Sequence, residues 1–142
     1  IDKNLIGQEN PKEIVEIEKG AIRKFAAAIG DDNPIYHNEV EAQKLGFKSL
    51  VAPLTFPTTF RDAQPEWYQK LDKSKMLHGE YRRRFCAGET LSCTEKIIDI
   101  YEKQGKNGAM TFIVREKRGH DSENKLVFIE TQTLIVRDDK NE

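Results

Sequence analysis

Gly30-Asp31-Asp32-Asn33-Pro34-Ile35-Tyr36-His37 is the most informative run in this 142-residue chain. It sets acid, amide and imidazole groups close together directly after Ala21–Ile29, where Ile22, Phe25, Ala26 and Ile29 recur at helical spacing. Gly30 is the expected left-handed stop of that helix. Asn33-Pro34 continues the loop, because a residue before proline is pushed out of the helical region. A turn of Asp, Asn, Gly and Pro needs no histidine to be a turn. An Asp and a His on a loop positioned by a helix are able to hold one water between them for acid–base chemistry.

Outward from this loop, Lys12 to Lys19 alternates Ile14, Val15 and Ile17 with Glu13, Glu16 and Glu18, which suits a short edge strand. Glu39 to Leu45 reads as a short helix stopped by Gly46. Ser49 to Phe60 is the most apolar stretch of the chain, read as a buried helix with Pro53 near its start, where proline is tolerated. Gln64 to Ser74, with Pro65 and Trp67, reads as a surface crossover. The pattern then turns extended over Met76–Cys86, Glu89–Tyr101, Ala109–Lys117 and Leu126–Arg137. The breaks are Ala87-Gly88, Gly105-Lys106-Asn107-Gly108 and Gly119 to Asn124, turn chemistry between consecutive antiparallel strands. Helices first and long strands afterwards predict an α+β domain in which a sheet packs on a helix.

The length suits one domain spanning 1–142. Hydrophobic residues are 37% and charged residues 33%, and 23 Lys+Arg against 24 Asp+Glu leave a formal net charge of -1, which argues against a general nucleic-acid binder. No apolar run approaches the ~20 residues of a membrane span. Ile1-Asp2-Lys3-Asn4 lacks the layout of a secretion signal. Cys86 and Cys93 have neither metal-ligand spacing nor disulfide density and read as reduced, buried cysteines of a cytoplasmic protein. No metal or redox-cofactor signature is visible.

Gly30-Asp31-x-Asn33-Pro34-Ile35 resembles the signature of the MaoC-like hydratases and dehydratases, a hot-dog family whose pattern runs Gly-Asp-x-Asn-Pro, then Ile or Leu, then His. Lys44-Leu45-Gly46-Phe47 and Leu50-Val51-Ala52-Pro53-Leu54-Thr55-Phe56 resemble the stretch entering the family's central helix. His78-Gly79-Glu80 and Ala87-Gly88-Glu89-Thr90-Leu91 resemble its N-terminal-type domains, and the likeness covers roughly residues 12 to 137. The resemblance implies about five antiparallel strands wrapped around a helix, and domains paired through their sheets. It also implies an acyl tunnel near the paired interface and a substrate carried on coenzyme A or acyl carrier protein. The implied reaction is reversible addition of water to a trans-2-enoyl thioester, giving the (R)-3-hydroxyacyl thioester. Asp31 and His37 are its expected catalytic residues; Asn33, Tyr36, Thr55 and Phe56 are expected at the substrate. A carboxylate and an imidazole sharing a water suit this chemistry, because imidazole titrates near neutral pH.

The chain departs from the family pattern at one place: Tyr36 stands where His is expected, and His37 follows. One residue along an extended chain shifts the Cα by about 3.8 Å and reverses the side chain. N-terminal-type domains of the family often lack a full Asp–His pair and shape the acyl site while a partner domain supplies catalysis. Three readings follow: first, a hydratase or dehydratase acting as a homodimer or heterodimer, with Asp31 and a displaced His37 sharing the water; second, a non-catalytic acyl-binding subunit paired with a catalytic hot-dog partner; and third, from fold analogy alone, a thioesterase. His78 reads as structural and His120 as solvent-facing. Arg82-Arg83-Arg84 reads as a charged strand edge or a landing point for carrier phosphates.

Overall fold

The computed structural model describes residues 1–60 and 73–137. Strand β1 (Glu13–Glu16), helix α1 (Lys19–Ala28) and short helix α2 (Glu39–Lys44) come first. Strands β2 (Lys73–Tyr81), β3 (Thr90–Gly105), β4 (Gly108–His120) and β5 (Leu126–Arg137) follow. The strands form a single antiparallel sheet in the order β1-β3-β4-β5-β2, so the α+β layout expected from the sequence is the one that forms.

The turn residues place β3, β4 and β5 as sequence neighbours. Gly105 faces Gly108 across a two-residue loop, with Gly108 at φ 128. Asp121 closes the next turn by accepting from the Glu123 and Lys125 amides. β2 breaks the expectation of consecutive pairing: it ends at Tyr81 and pairs with β5 at the far edge. Arg82 to Cys86 then leaves the strand, because buried Phe85 and Cys86 turn inward against Ala52 and Val51. The three arginines therefore lie on a bend between strands and not on a strand. His120 closes β4 half-buried, a correction to its solvent-facing reading, whereas His78 is exposed on β2.

The helix expected from Pro53 is, among the described residues, a single 3-10 turn over Phe56–Thr59. Pro57 offers no N–H to propagate it, and the Thr58 and Thr59 hydroxyls donate back to the carbonyls of Thr55 and Phe56 at 2.7 and 2.8 Å. The surface crossover read over Gln64–Ser74 lies outside the described residues up to 72, and its last two residues open β2. No helix among the described residues is long and apolar enough to cross a membrane.

The core sits on one face of the sheet, in two clusters. Helix α1 buries Ile22 and Ala26 with Leu50, Phe56, Phe60, Phe85, Leu91 and Phe128. Ile29, expected on the same face, is the C-cap and half-exposed. The second cluster holds Ile97, Ile100, Ile113, Leu134 and Val136. Between the two, the same face carries buried Glu95, Arg115 and Lys117. Arg115 reaches Glu95 at 3.1 Å, and the Lys117 ammonium donates to the Phe60 carbonyl at 3.1 Å. This polar band divides the sheet floor, and its members come from β3 and β4.

Candidate functional site

Helix α1 ends in a complete glycine stop. Gly30, at φ 70, donates to the Ala27 carbonyl and Asp31 to that of Ala26. The chain then passes through two short-range caps. The Asp31 carboxylate accepts from the Asn33 amide at 3.0 Å, and the Asn33 side chain accepts from the Ile35 amide at 3.2 Å, starting the 3-10 turn Pro34–Tyr36. Asn38 opens α2 by accepting from Val40 and Glu41. Glu39, next along, holds Lys19 at 2.8 Å and takes the Ser49 hydroxyl at 3.1 Å. The bond to Lys19, and then that to Ser49, holds its carboxyl below the usual carboxylate range.

The loop brings Asp31 and His37 together through the backbone. The His37 Nε2 lies 2.9 Å from the Asp31 carbonyl oxygen, so this ring closes the loop across its mouth. The His37 carbonyl in turn accepts from Arg23 Nε at 3.2 Å. Both residues are half-buried, while Asn33 is exposed. Tyr36, at the position of the family's histidine, is buried, and its hydroxyl accepts from Arg84 Nη2 at 3.4 Å. The same nitrogen donates to the Ala52 carbonyl at 2.8 Å. Arg84 is thus a site residue that sequence reading missed, because the arginine run reads as a strand edge unless the bend before Phe85 is known.

Thr55 and Phe56, expected at the substrate, part company. Thr55 is exposed, whereas Phe56 is buried edge-on against Phe25 and Phe60 at ring distances of 5.6 and 5.7 Å. Leu50 to Ala52 stitches the site together: Val51 donates to Ile35, Ala52 to Phe85, and Ala87 to Leu50. The motif loop and the β2–β3 connection are therefore held to one short segment. Burial pushes the Cys86 thiol up, which leaves it protonated at neutral pH. Among the described residues no group of three or more His, Cys, Asp or Glu side chains is arranged to hold a metal.

Residues 4–130 match the model of a family described as FAS1-like, dehydratase domain region. The chain belongs to this family. It is 31% identical over 149 residues to a UPF0336 protein of Streptomyces avermitilis, covering 96% of this chain and 95% of that one. A UPF0336 protein of Thermobifida fusca is 30% identical over 135 residues, with 87% and 85% covered. Among solved structures, the C-terminally truncated HadBC (3R-hydroxyacyl-ACP dehydratase) complex of Mycobacterium tuberculosis contains a chain that superposes with a TM-score of 0.79 at 22% identity, covering 95% of this chain and 99% of that one. The ChsH1-ChsH2 complex of the same organism gives 0.74 at 19%, covering 92% and 90%. The R-hydratase PhaJ1 of Pseudomonas aeruginosa gives 0.64 at 17%, covering 92% and 81%. The fold is that of the MaoC-like hot-dog dehydratases.

Proposed function

We propose that this chain is the acyl-thioester-binding, non-catalytic subunit of a heterodimeric (R)-specific hydratase or dehydratase, whose partner is a homologous hot-dog subunit with the intact motif. The observation that carries the reading is the contact of the His37 imidazole with the Asp31 carbonyl, together with burial of Tyr36 at the family's histidine position. Water addition needs a base on the water attacking C3 and an acid at C2. Tyrosine, with an ordinary pKa of about 10, is a poor base at neutral pH. Asp31 and Asn33 accept from backbone amides of their own loop, which makes them bracing groups first. Two neighbours named as complexes, HadBC and ChsH1-ChsH2, give the paired arrangement a precedent in the fold. β2 is the natural pairing edge: it is an outer strand, and residues 74–80 are all exposed, Met76 and Leu77 among them.

The test is hydration of a trans-2-enoyl-CoA followed by loss of enoyl absorbance, with the chain alone and after mixing with a homologous subunit carrying Gly-Asp-x-Asn-Pro-Ile-His. The expected result is background alone and turnover in the mixture. In the mixture, His37→Ala and Asp31→Asn, the second of which keeps the turn-closing oxygen, change kcat by less than about threefold, far below the ~10²–10⁴ of a lost acid–base group. Turnover by the chain alone that collapses in both variants would overturn the reading in favour of Asp31 and His37 as a catalytic pair. Release of free thiol would identify a thioesterase instead.

A further inference from the structure

The core clusters occupy one face of the sheet, and the opposite face carries an apolar patch. Tyr101 on β3 and Phe112 on β4 lie there, because their neighbours Ile100 and Ile113 are buried in the second cluster and side chains alternate along a strand. The register extends the patch to Ile135, opposite Phe112, and to the next row of Val114, Thr133 and Met76. The Tyr101 and Phe112 rings stack with centroids 4.9 Å apart and planes 5° from parallel. Met76, at the margin, is 60% exposed. The described helices and 3-10 turns bury their side chains in the core clusters instead. Aromatic and aliphatic groups gathered on an uncovered face mark a protein–protein contact, whereas the solvated face of an antiparallel sheet is normally polar.

The charges around the patch say which protein fits it. Asp99 and Lys103 stand on this same face of β3, one on each side of Tyr101 and each about 7 Å from it along the strand. Both are exposed. The Lys103 ammonium lies over the Tyr101 and Phe112 rings, 5.5 Å from each centroid, and neither it nor Asp99 has an ion-pair partner among the described residues. A two-fold axis running across the strands through Tyr101 and Phe112 reverses strand direction and exchanges the two flanks. It sets Lys103 of each copy against Asp99 of the other, since a two-fold contact is reciprocal. Met110, the register partner of both Lys103 and Arg137, then meets Val114, and Arg137 meets uncharged Thr133. An axis along β4 instead brings Lys103 against Arg137, where like charges repel. Packed sheets stand ~10 Å apart and cross at about 30°, an offset that a flexible lysine spans.

We infer that a second copy of this chain docks back to back on the outer face of the sheet, its Tyr101–Phe112 stack over the first and Lys103 paired with the other copy's Asp99 on both flanks. The stack is the apolar centre of the contact, and the two ion pairs fix its antiparallel direction. This inference does not rest on the function proposed above. β2 offers an edge of the sheet and the patch lies on its face, so a subunit joined at β2 leaves the patch free. The expected assembly is then two copies of each subunit.

The experiment is sedimentation equilibrium of the chain, alone and mixed with a homologous hot-dog subunit. It is run on the native sequence, Lys103→Glu, Asp99→Lys and the double exchange Asp99→Lys/Lys103→Glu. Each single change sets like charges face to face on both flanks and should weaken self-association by about tenfold or more. The double exchange restores opposite charges and should return it to within about threefold of native. Both side chains are exposed, so the variants are expected to fold, which thermal unfolding checks. An association that ignores both single changes would overturn the inference and assign the contact to the β2 edge. A native chain that is monomeric alone and forms only a one-to-one complex with the other subunit at about 0.1 mM would overturn it as well. Loss in both single variants without recovery in the double exchange would overturn the two-fold pairing of Lys103 with Asp99. None of these outcomes depends on enoyl hydration, so a failure here leaves the subunit reading standing.

Discussion

The motif loop and the charged band on the sheet floor are both polar, and they are built in opposite ways. In the loop, Asp31 reaches two residues ahead, Asn33 two, Asn38 two and three, and His37 closes a gap of six. In the band, Lys117 reaches a carbonyl 57 residues away, and Asn10 reaches Glu95 across 85. The loop is half exposed, so water competes for each of its bonds. The band is buried at about 5% exposure for Arg115 and Lys117, where a charge must be matched or it is very costly. Local polar networks shape a surface; distant ones commit the sheet to a single register.

That contrast is most directly broken at Glu95. Glu95→Ala leaves Arg115 and Lys117 buried without their shared carboxylate, and the expected loss is about 3–5 kcal/mol of unfolding free energy, read by urea titration. A loss below ~1 kcal/mol would show that the band is hydrated and no more committed to the fold than the loop. Next in size is Gly119→Ala on the same floor. A Cβ there would stand 2.2 Å from a ring carbon of fully buried Phe128, its cross-strand partner. Relieving that overlap should cost about 1–3 kcal/mol, and β4–β5 amides should lose hydrogen-exchange protection first.

The same contrast accounts for what the sequence made legible. The Gly30 stop, α2, the edge strand at Ile14 and the β3–β4–β5 meander all rest on signals a few residues long, and all are present. The pairing of β2 with β5 was not legible, because nothing local distinguishes a strand that joins its successor from one that crosses the sheet. Glu95, Arg115 and Lys117 alternate with other polar residues in strands that read as half-solvated, so their burial becomes visible only when β3 and β4 are in register. In the site, Asp31 and Asn33 announced a capped loop. The role of the Tyr36-His37 order rests on Arg84 at the tyrosine hydroxyl, a contact that spans 48 residues and leaves no local signal.

A smaller effect sharpens the loop side of the comparison. His37→Ala removes one half-buried hydrogen bond to the Asp31 carbonyl, so the expected cost is about 0.5–1.5 kcal/mol, checked by thermal unfolding. Loss of more than ~3 kcal/mol would make the loop as deeply coupled to the fold as the band. Asn38→Ala, which removes the cap of α2, should cost about 1 kcal/mol, and the two losses should add if the loop is a series of independent local contacts.

The smallest effect expected is one of pH, at the turn that closes β4 on β5. The backbone amide of Lys125, followed by Arg83 and the amide of Glu123, holds the Asp121 carboxyl below its ordinary value. A folded pKa lower than the unfolded one means that the folded state prefers the ionised form. Its contribution is thus present above the unfolded value of about 3.9 and disappears as pH falls through the lower, folded one. The turn should therefore open at acid pH while the floor of the sheet persists. Amide exchange of Glu123 and Lys125, referred to the intrinsic exchange rate at each pH, should rise below about pH 4 in the native chain, and Asp121→Asn, which keeps an acceptor oxygen but has no charge to lose, should flatten that rise. If the rise survives in Asp121→Asn, the turn's acid sensitivity comes from another group, and the carboxylate that bridges it to Arg83 is not what holds this end of the sheet to the β2–β3 connection.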